Sequence, residues 1–138
     1  FACGNVLHVH DLVDFVSEEA AAAGRNAAIY VKAVSDGVRN ETDICAEQQI
    51  ELVATGGVRY TVPSSIRAAC MEDNLKVRFR VGSVYQNCFV SVYFDDERVI
   101  HRKRPVMAPG EMEEVKLTKE QLLQYPELKK ITYKIEDM

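Results

Sequence analysis

The chain has 138 residues, 47% of them hydrophobic and 28% charged, which is material for one ordinary domain or for one small domain with an appendage. Seventeen basic residues against twenty-one acidic ones leave a net charge of −4, a balance that argues against nucleic acid or an anionic membrane as partner. No apolar stretch approaches the length of a bilayer span, and no signal peptide is visible.

The chain opens Phe1-Ala2-Cys3-Gly4 without a methionine and inside an apolar run, so Phe1 reads as a cut within a longer protein. From Leu12 to Asp36 there is no proline, and alanine dominates the middle. Leu12, Phe15, Val16, Glu19, Ala20 and Ala23 follow an i, i+3, i+4 pattern that Ala27, Tyr30, Val31 and Val34 continue, which predicts one long helix. Asp11 is the expected N-cap and Gly37 the expected residue just past the C-terminus. Such a helix, about 37 Å long at ~1.5 Å per residue, is too long to bury its apolar face alone. The Ala20–Gly24 stretch lacks bulk, so something is expected to approach its backbone closely.

Residues 38–46 are polar and read as a linker. Beyond them the period changes from 3.6 to two. Ile50–Thr55, Gly56-Gly57 and Val58–Val62 predict a tight hairpin. Leu75–Val81 alternates cleanly, with Leu75, Val77, Phe79 and Val81 facing inward and Lys76, Arg78 and Arg80 forming an exposed basic row. Cys88–Phe94 and Arg98–Arg104 are strands joined by the turn Asp95-Asp96-Glu97. Met112–Leu117 and Ile131–Glu136 complete the set, and Pro105, Pro109-Gly110 and Pro126 mark joins. Thr118-Lys119-Glu120-Gln121 has capping-box spacing and predicts a single helical turn. The expected fold is therefore mainly β: a long N-terminal helix in residues 1–37, a linker at 38–46, and a seven-stranded antiparallel immunoglobulin-like β-sandwich over 47–138.

Cys3, Cys45, Cys70 and Cys88 form no C-x-x-C pair, which points to neither a zinc ribbon nor a local redox pair. Free thiols in a reducing cytosol are expected, hence a cytoplasmic location.

Residues Phe1 to Tyr30 carry the chemistry. Phe1-Ala2-Cys3-Gly4-Asn5 as a strand and turn, followed by a short loop and a small-residue helix containing Ala23-Gly24, resembles the strand-turn-helix that ends the FAD domain in pyridine nucleotide-disulfide oxidoreductases of the thioredoxin reductase and glutathione reductase kind, so residues 1–37 would be its remnant. The run Val6-Leu7-His8-Val9-His10-Asp11 looks more like an oxidoreductase branch sometimes associated with glycerol 3-phosphate metabolism. The resemblance implies a C-terminal piece of a flavoprotein whose parent transfers hydride between NAD(P)H and FAD. It also implies that Gly4, Asn5, His8, His10, Asp11 and Leu12 lie at the cofactor. Gly4 would let the backbone pass the ribityl chain. Asn5 stands where the family has an acidic residue. The helix N-terminus would support negative charge on the reduced flavin. No G-x-G-x-x-G occurs, so the phosphate-binding halves would belong to FAD-binding and NAD(P)-binding domains of the parent. The sandwich would then dock a partner subunit or a second protomer, or stand alone as a non-catalytic interaction module.

His8-Val9-His10 admits three readings: imidazoles beside a flavin, ordinary loop histidines, or the start of a metal-dependent hydrolase site. The only other histidine is His101, far downstream, and the chain is too short for the barrel such hydrolases use, so no metal is expected.

Overall fold

The computed structural model describes residues 1–37 and 48–138. The expected linker at 38–46, and Cys45 with it, lies outside the described residues. The chain divides into two units, with the boundary between Ala46 and Glu47.

The first unit is a helix, α1 (Val13–Ser35), preceded by an irregular segment with one 3-10 turn at Gly4–Val6. The strand expected at Phe1 does not form: the residues before the 3-10 turn are irregular. The segment runs back along the helix instead, with the Phe1 ring edge-on to Tyr30 at 5.7 Å and the Gly4 amide bonded to Glu19. The N-cap is Leu12, not Asp11; it has extended backbone angles and supplies no side-chain acceptor. At the other end Gly37 takes φ +96° and its N–H bonds to the Val34 carbonyl, a helix stop that glycine adopts without steric cost. The partly covered residues of α1, Phe15, Val16, Glu19, Ala22, Ala23, Ala27, Tyr30 and Ala33, trace one stripe of helical period, but none is fully buried.

The second unit holds two sheets around one core. Among the described residues eight strands form where seven are expected: β1 (Ile50–Ala54), β2 (Val58–Val62), β3 (Ser65–Ile66), β4 (Asn74–Val81), β5 (Tyr85–Phe94), β6 (Glu97–Met107), β7 (Glu113–Thr118) and β8 (Lys130–Glu136). The extra one, β3, has two residues, too few for an alternating pattern to announce it. One sheet has the order β3-β1-β8-β5-β6 and the other β2-β4-β7. Pairing is antiparallel except between β1 and β8, which run parallel with Leu52 opposite Ile131. The arrangement is therefore mixed rather than wholly antiparallel.

Gly56-Gly57 does turn the chain, and the Val58 N–H bonds to the Thr55 carbonyl. Its two arms, however, do not pair as a hairpin. β1 joins the larger sheet and β2 the smaller, because the turn's carbonyls are taken elsewhere: Gly56 accepts from Ile135 and Gly57 from Gly82. Both glycines have positive φ, and a Cβ on Gly57 would strike the Tyr85 ring. Crossing between sheets lets both arms point apolar side chains into the shared core, where Leu52 and Val58 are buried with Phe79, Val92 and Tyr133.

The expected basic row on β4 is not an exposed face. Arg78 is 5% exposed and lies opposite Glu114 of β7, and Arg80 donates to the carbonyls of Pro109 and Gly110. β4 is the central strand of its sheet, and its outer face is covered by neighbouring side chains and by the 109–110 loop. Pro105 lies inside β6, an edge strand, where the missing N–H costs no ladder bond. The turn at Thr118 forms with both capping-box bonds and opens α2 (Lys119–Leu123). Cys3 and Cys88 are free thiols, whereas Cys70 is disulfide-bonded, which corrects the expectation of free thiols there.

Candidate functional site

The first unit gathers polar side chains where an ordinary small domain would put apolar ones. Gly4 sits at φ +70°, a left-handed conformation that glycine reaches freely. A Cβ there would meet the Val16 side chain at 3.6 Å, ordinary contact, so the angle rather than the space calls for glycine. The angle aims the Gly4 N–H at the Glu19 carboxylate, one turn and a half into α1. The segment then folds back. The Asn5 side-chain oxygen accepts from the His10 amide at 3.3 Å and closes the loop 5–10. This closure brings both imidazoles over Glu19: His10 Nε2 lies 3.0 Å from Oε2 and His8 Nε2 3.9 Å from Oε1. The two rings are 4.3 Å apart and tilted by 58°. Side-chain exposure is 2% for His8, 0% for His10 and 15% for Glu19.

Of the residues expected at a cofactor, Gly4, His8 and His10 thus converge on one carboxylate. Asn5 serves the loop through its side chain, and Asp11 and Leu12 are exposed. Glu19 itself is absent from the expected set. A signal was available: a carboxylate four residues after Phe15, within the apolar stripe, has no reason to be there unless it is satisfied locally.

Nothing among the described residues comes within 4 Å of a Cβ built on Gly24, so the close approach expected at Ala20–Gly24 is not made by them. Around this segment the unit exposes Phe1, Val6, Leu7, Val9, Leu12, Val13, Ile29, Val31 and Val34.

A second polar cluster, not foreseen, lies on the outer face of the larger sheet. Register places Ser91 between His101 of β6 and Lys134 of β8. The Ser91 hydroxyl donates to Glu136 Oε2 at 2.6 Å and lies 2.8 Å from His101 Nδ1. Tyr93 donates to Glu136 Oε1 at 2.9 Å, and Lys134 to the same oxygen at 3.2 Å. These bonds, Ser91 first and Tyr93 next, hold the Glu136 carboxyl down at about 2, because each favours the charged form. The trio Ser91, His101 and Glu136 is not a hydrolytic arrangement. Its serine is fully buried and gives its proton to the carboxylate, while the imidazole is stacked on Phe89 at 4.1 Å. The Cys88 thiol is raised by burial, in keeping with an inert structural cysteine.

No protein-family model, no curated protein and no solved structure matches the chain.

Proposed function

We propose that residues 1–37 are the closing segment of an FAD-binding domain in a pyridine nucleotide-disulfide oxidoreductase, with the parent transferring hydride between NAD(P)H and FAD. The observation that carries this reading is the state of α1. It is a helix of 23 residues without a single buried side chain, with a small-residue stretch and a row of large apolar residues turned outward. Such a surface suits cover by further polypeptide or by a flat apolar ligand. The left-handed Gly4 turn before α1, and an N-cap that brings no side-chain acceptor, suit a helix whose first amides face a ligand bearing negative charge. In this reading Gly4, Asn5, His8, His10, Asp11 and Leu12 flank the cofactor. His8 and His10 act through the Glu19 cluster, which fixes the turn.

The β-rich unit is, in the same proposal, an immunoglobulin-like sandwich that docks a partner subunit or a second protomer. Its core is complete in itself, which equally supports the alternative of a non-catalytic interaction module. No helix among the described residues is long and apolar enough to cross a membrane. A cytoplasmic setting accords poorly with the disulfide at Cys70, since disulfides persist chiefly in oxidising compartments.

The test is spectroscopic. The protein is purified from the longest reading frame that contains Phe1–Met138, and its visible spectrum is recorded before and after NADH or NADPH. One FAD per chain, bleached by the nicotinamide, is expected; residues 1–138 alone should retain none. A colourless long form would end the flavoprotein reading and leave the interaction module.

A further inference from the structure

We infer that His8, His10 and Glu19 form a binding site for one divalent first-row transition ion of the zinc class. The inference stands independently of the flavoprotein reading. Two imidazoles and one carboxylate are a borderline-soft N2O donor set, the kind that selects zinc over magnesium or calcium. One ligand atom from each of the three lies within 4.8 Å of the others. An ion held at ~2.0–2.2 Å from each donor needs donors roughly 3.3–3.5 Å apart in tetrahedral geometry. His10 Nε2 lies 3.0 Å from Glu19 Oε2 and His8 Nε2 3.9 Å from Oε1, so the two imidazoles face different oxygens of the carboxylate at separations on either side of that value. The adjustment is a matter of ring rotation. His10 Nδ1 is buried without a hydrogen-bond partner among the described residues, so no bond on that side of the ring resists it.

Three further features favour an ion over a plain histidine–carboxylate contact. The Gly4 N–H bonds to Oε2 of the same carboxylate and orients it, the kind of outer-shell support that metal-ligating carboxylates have. The Asn5 side chain pins the loop at His10, so both imidazoles are positioned before an ion arrives. The carboxylate contributes one negative charge against the ion's two positive ones. For His10 to ligate through Nε2, its ring carries the proton on Nδ1. With three protein donors the fourth coordination position is left to water or to a ligand, approached from the Glu19 side, the least buried of the three.

The experiment uses the full chain stripped with a chelator and then given Zn²⁺ alone or Co²⁺ alone. Equilibrium dialysis with elemental analysis should give about one ion per chain. Glu19→Gln and His10→Asn should each weaken binding at least about tenfold, while His101→Asn should leave it unchanged. Imidazole NMR of the unaltered chain decides the matter should a variant fail to fold: zinc should shift His8 and His10 signals and not those of His101. Binding well below one equivalent, or zinc shifts confined to His101, would overturn the inference. So would folded Glu19 and His10 variants that bind as tightly as the parent chain.

Discussion

The two units of this protein bury opposite kinds of side chain. Among the described residues, every fully buried hydrophobic one lies between Ile50 and Ile135, in the β-rich unit. The N-terminal unit fully buries Gly4 and His8, covers Phe15, Val16 and Tyr30 only in part, and leaves its other large apolar residues in water. The first pattern is that of a domain whose free energy comes from its own core. The second is that of a segment held by a few polar contacts, with most of its large apolar side chains exposed. α1 has no fully buried side chain, and what ties it to the segment before it is the Gly4–His8–His10–Glu19 knot together with the Phe1–Tyr30 ring contact.

That contrast can be broken most severely by truncation. Phe79→Ala, at a residue with no exposure, should lower the stability of the β-rich unit by about 3–5 kcal/mol, whereas Ile29→Ala on α1 should change it by less than about 0.5 kcal/mol. Urea titration followed by circular dichroism measures both; equal effects would dissolve the distinction between the units. A smaller loss, about 1–3 kcal/mol in the same assay, is expected for Arg104→Ala. It removes the ion pair that ties β6 to the buried Glu113 at the start of β7 and leaves that carboxylate uncompensated.

Glu136 sharpens the comparison through pH. Its folded-state value, about 2, lies below the ordinary 4.5, so its contribution is complete above about pH 4.5 and disappears as pH falls toward 2. The stability gap between the wild type and Glu136→Gln should therefore narrow across that window. A gap that stays constant from pH 7 to pH 2 would show that the Ser91 and Tyr93 bonds do not favour the charged form. A small effect is expected at Tyr133, whose hydroxyl is buried and has no hydrogen-bond partner among the described residues; burial pushes its pKa far upward. Tyr133→Phe removes that group at nearly constant volume and should leave stability unchanged or raise it by up to about 1 kcal/mol. A clear loss in the urea midpoint would reveal a partner for the hydroxyl.

Much of the fold is legible in the amino-acid order because its signals are local. Leu75–Val81 alternates, Thr118 and Gln121 stand at capping-box spacing, and Gly37 follows the last helical turn; each depends on residues within a few positions. The pairing of strands is not local, and there the reading fails. Gly56-Gly57 signals a turn correctly, but whether its arms pair with each other or part to two sheets depends on β8 and β4, arriving far later in the chain. Arg78 reads as solvent-facing by alternation and is covered because Glu114 stands opposite it. In the candidate site, His8, His10 and Gly4 announce themselves by residue type and spacing. Glu19 is hidden in a helical pattern, and only the fold-back of the segment before α1 sets it beneath the imidazoles.

By itself, then, the sequence determined the mainly β character, the long N-terminal helix, the change of period between the two regions, and the presence of two histidines beside a glycine turn. All of these follow from side-chain periodicity and from the backbone preferences of single residues. Only the tertiary structure decided the two-sheet crossing, the parallel contact of β1 with β8, the covering of the arginines and the meeting of Glu19 with His8 and His10. Contacts between residues distant in sequence form where total burial and hydrogen bonding are best satisfied, and no local pattern encodes that balance.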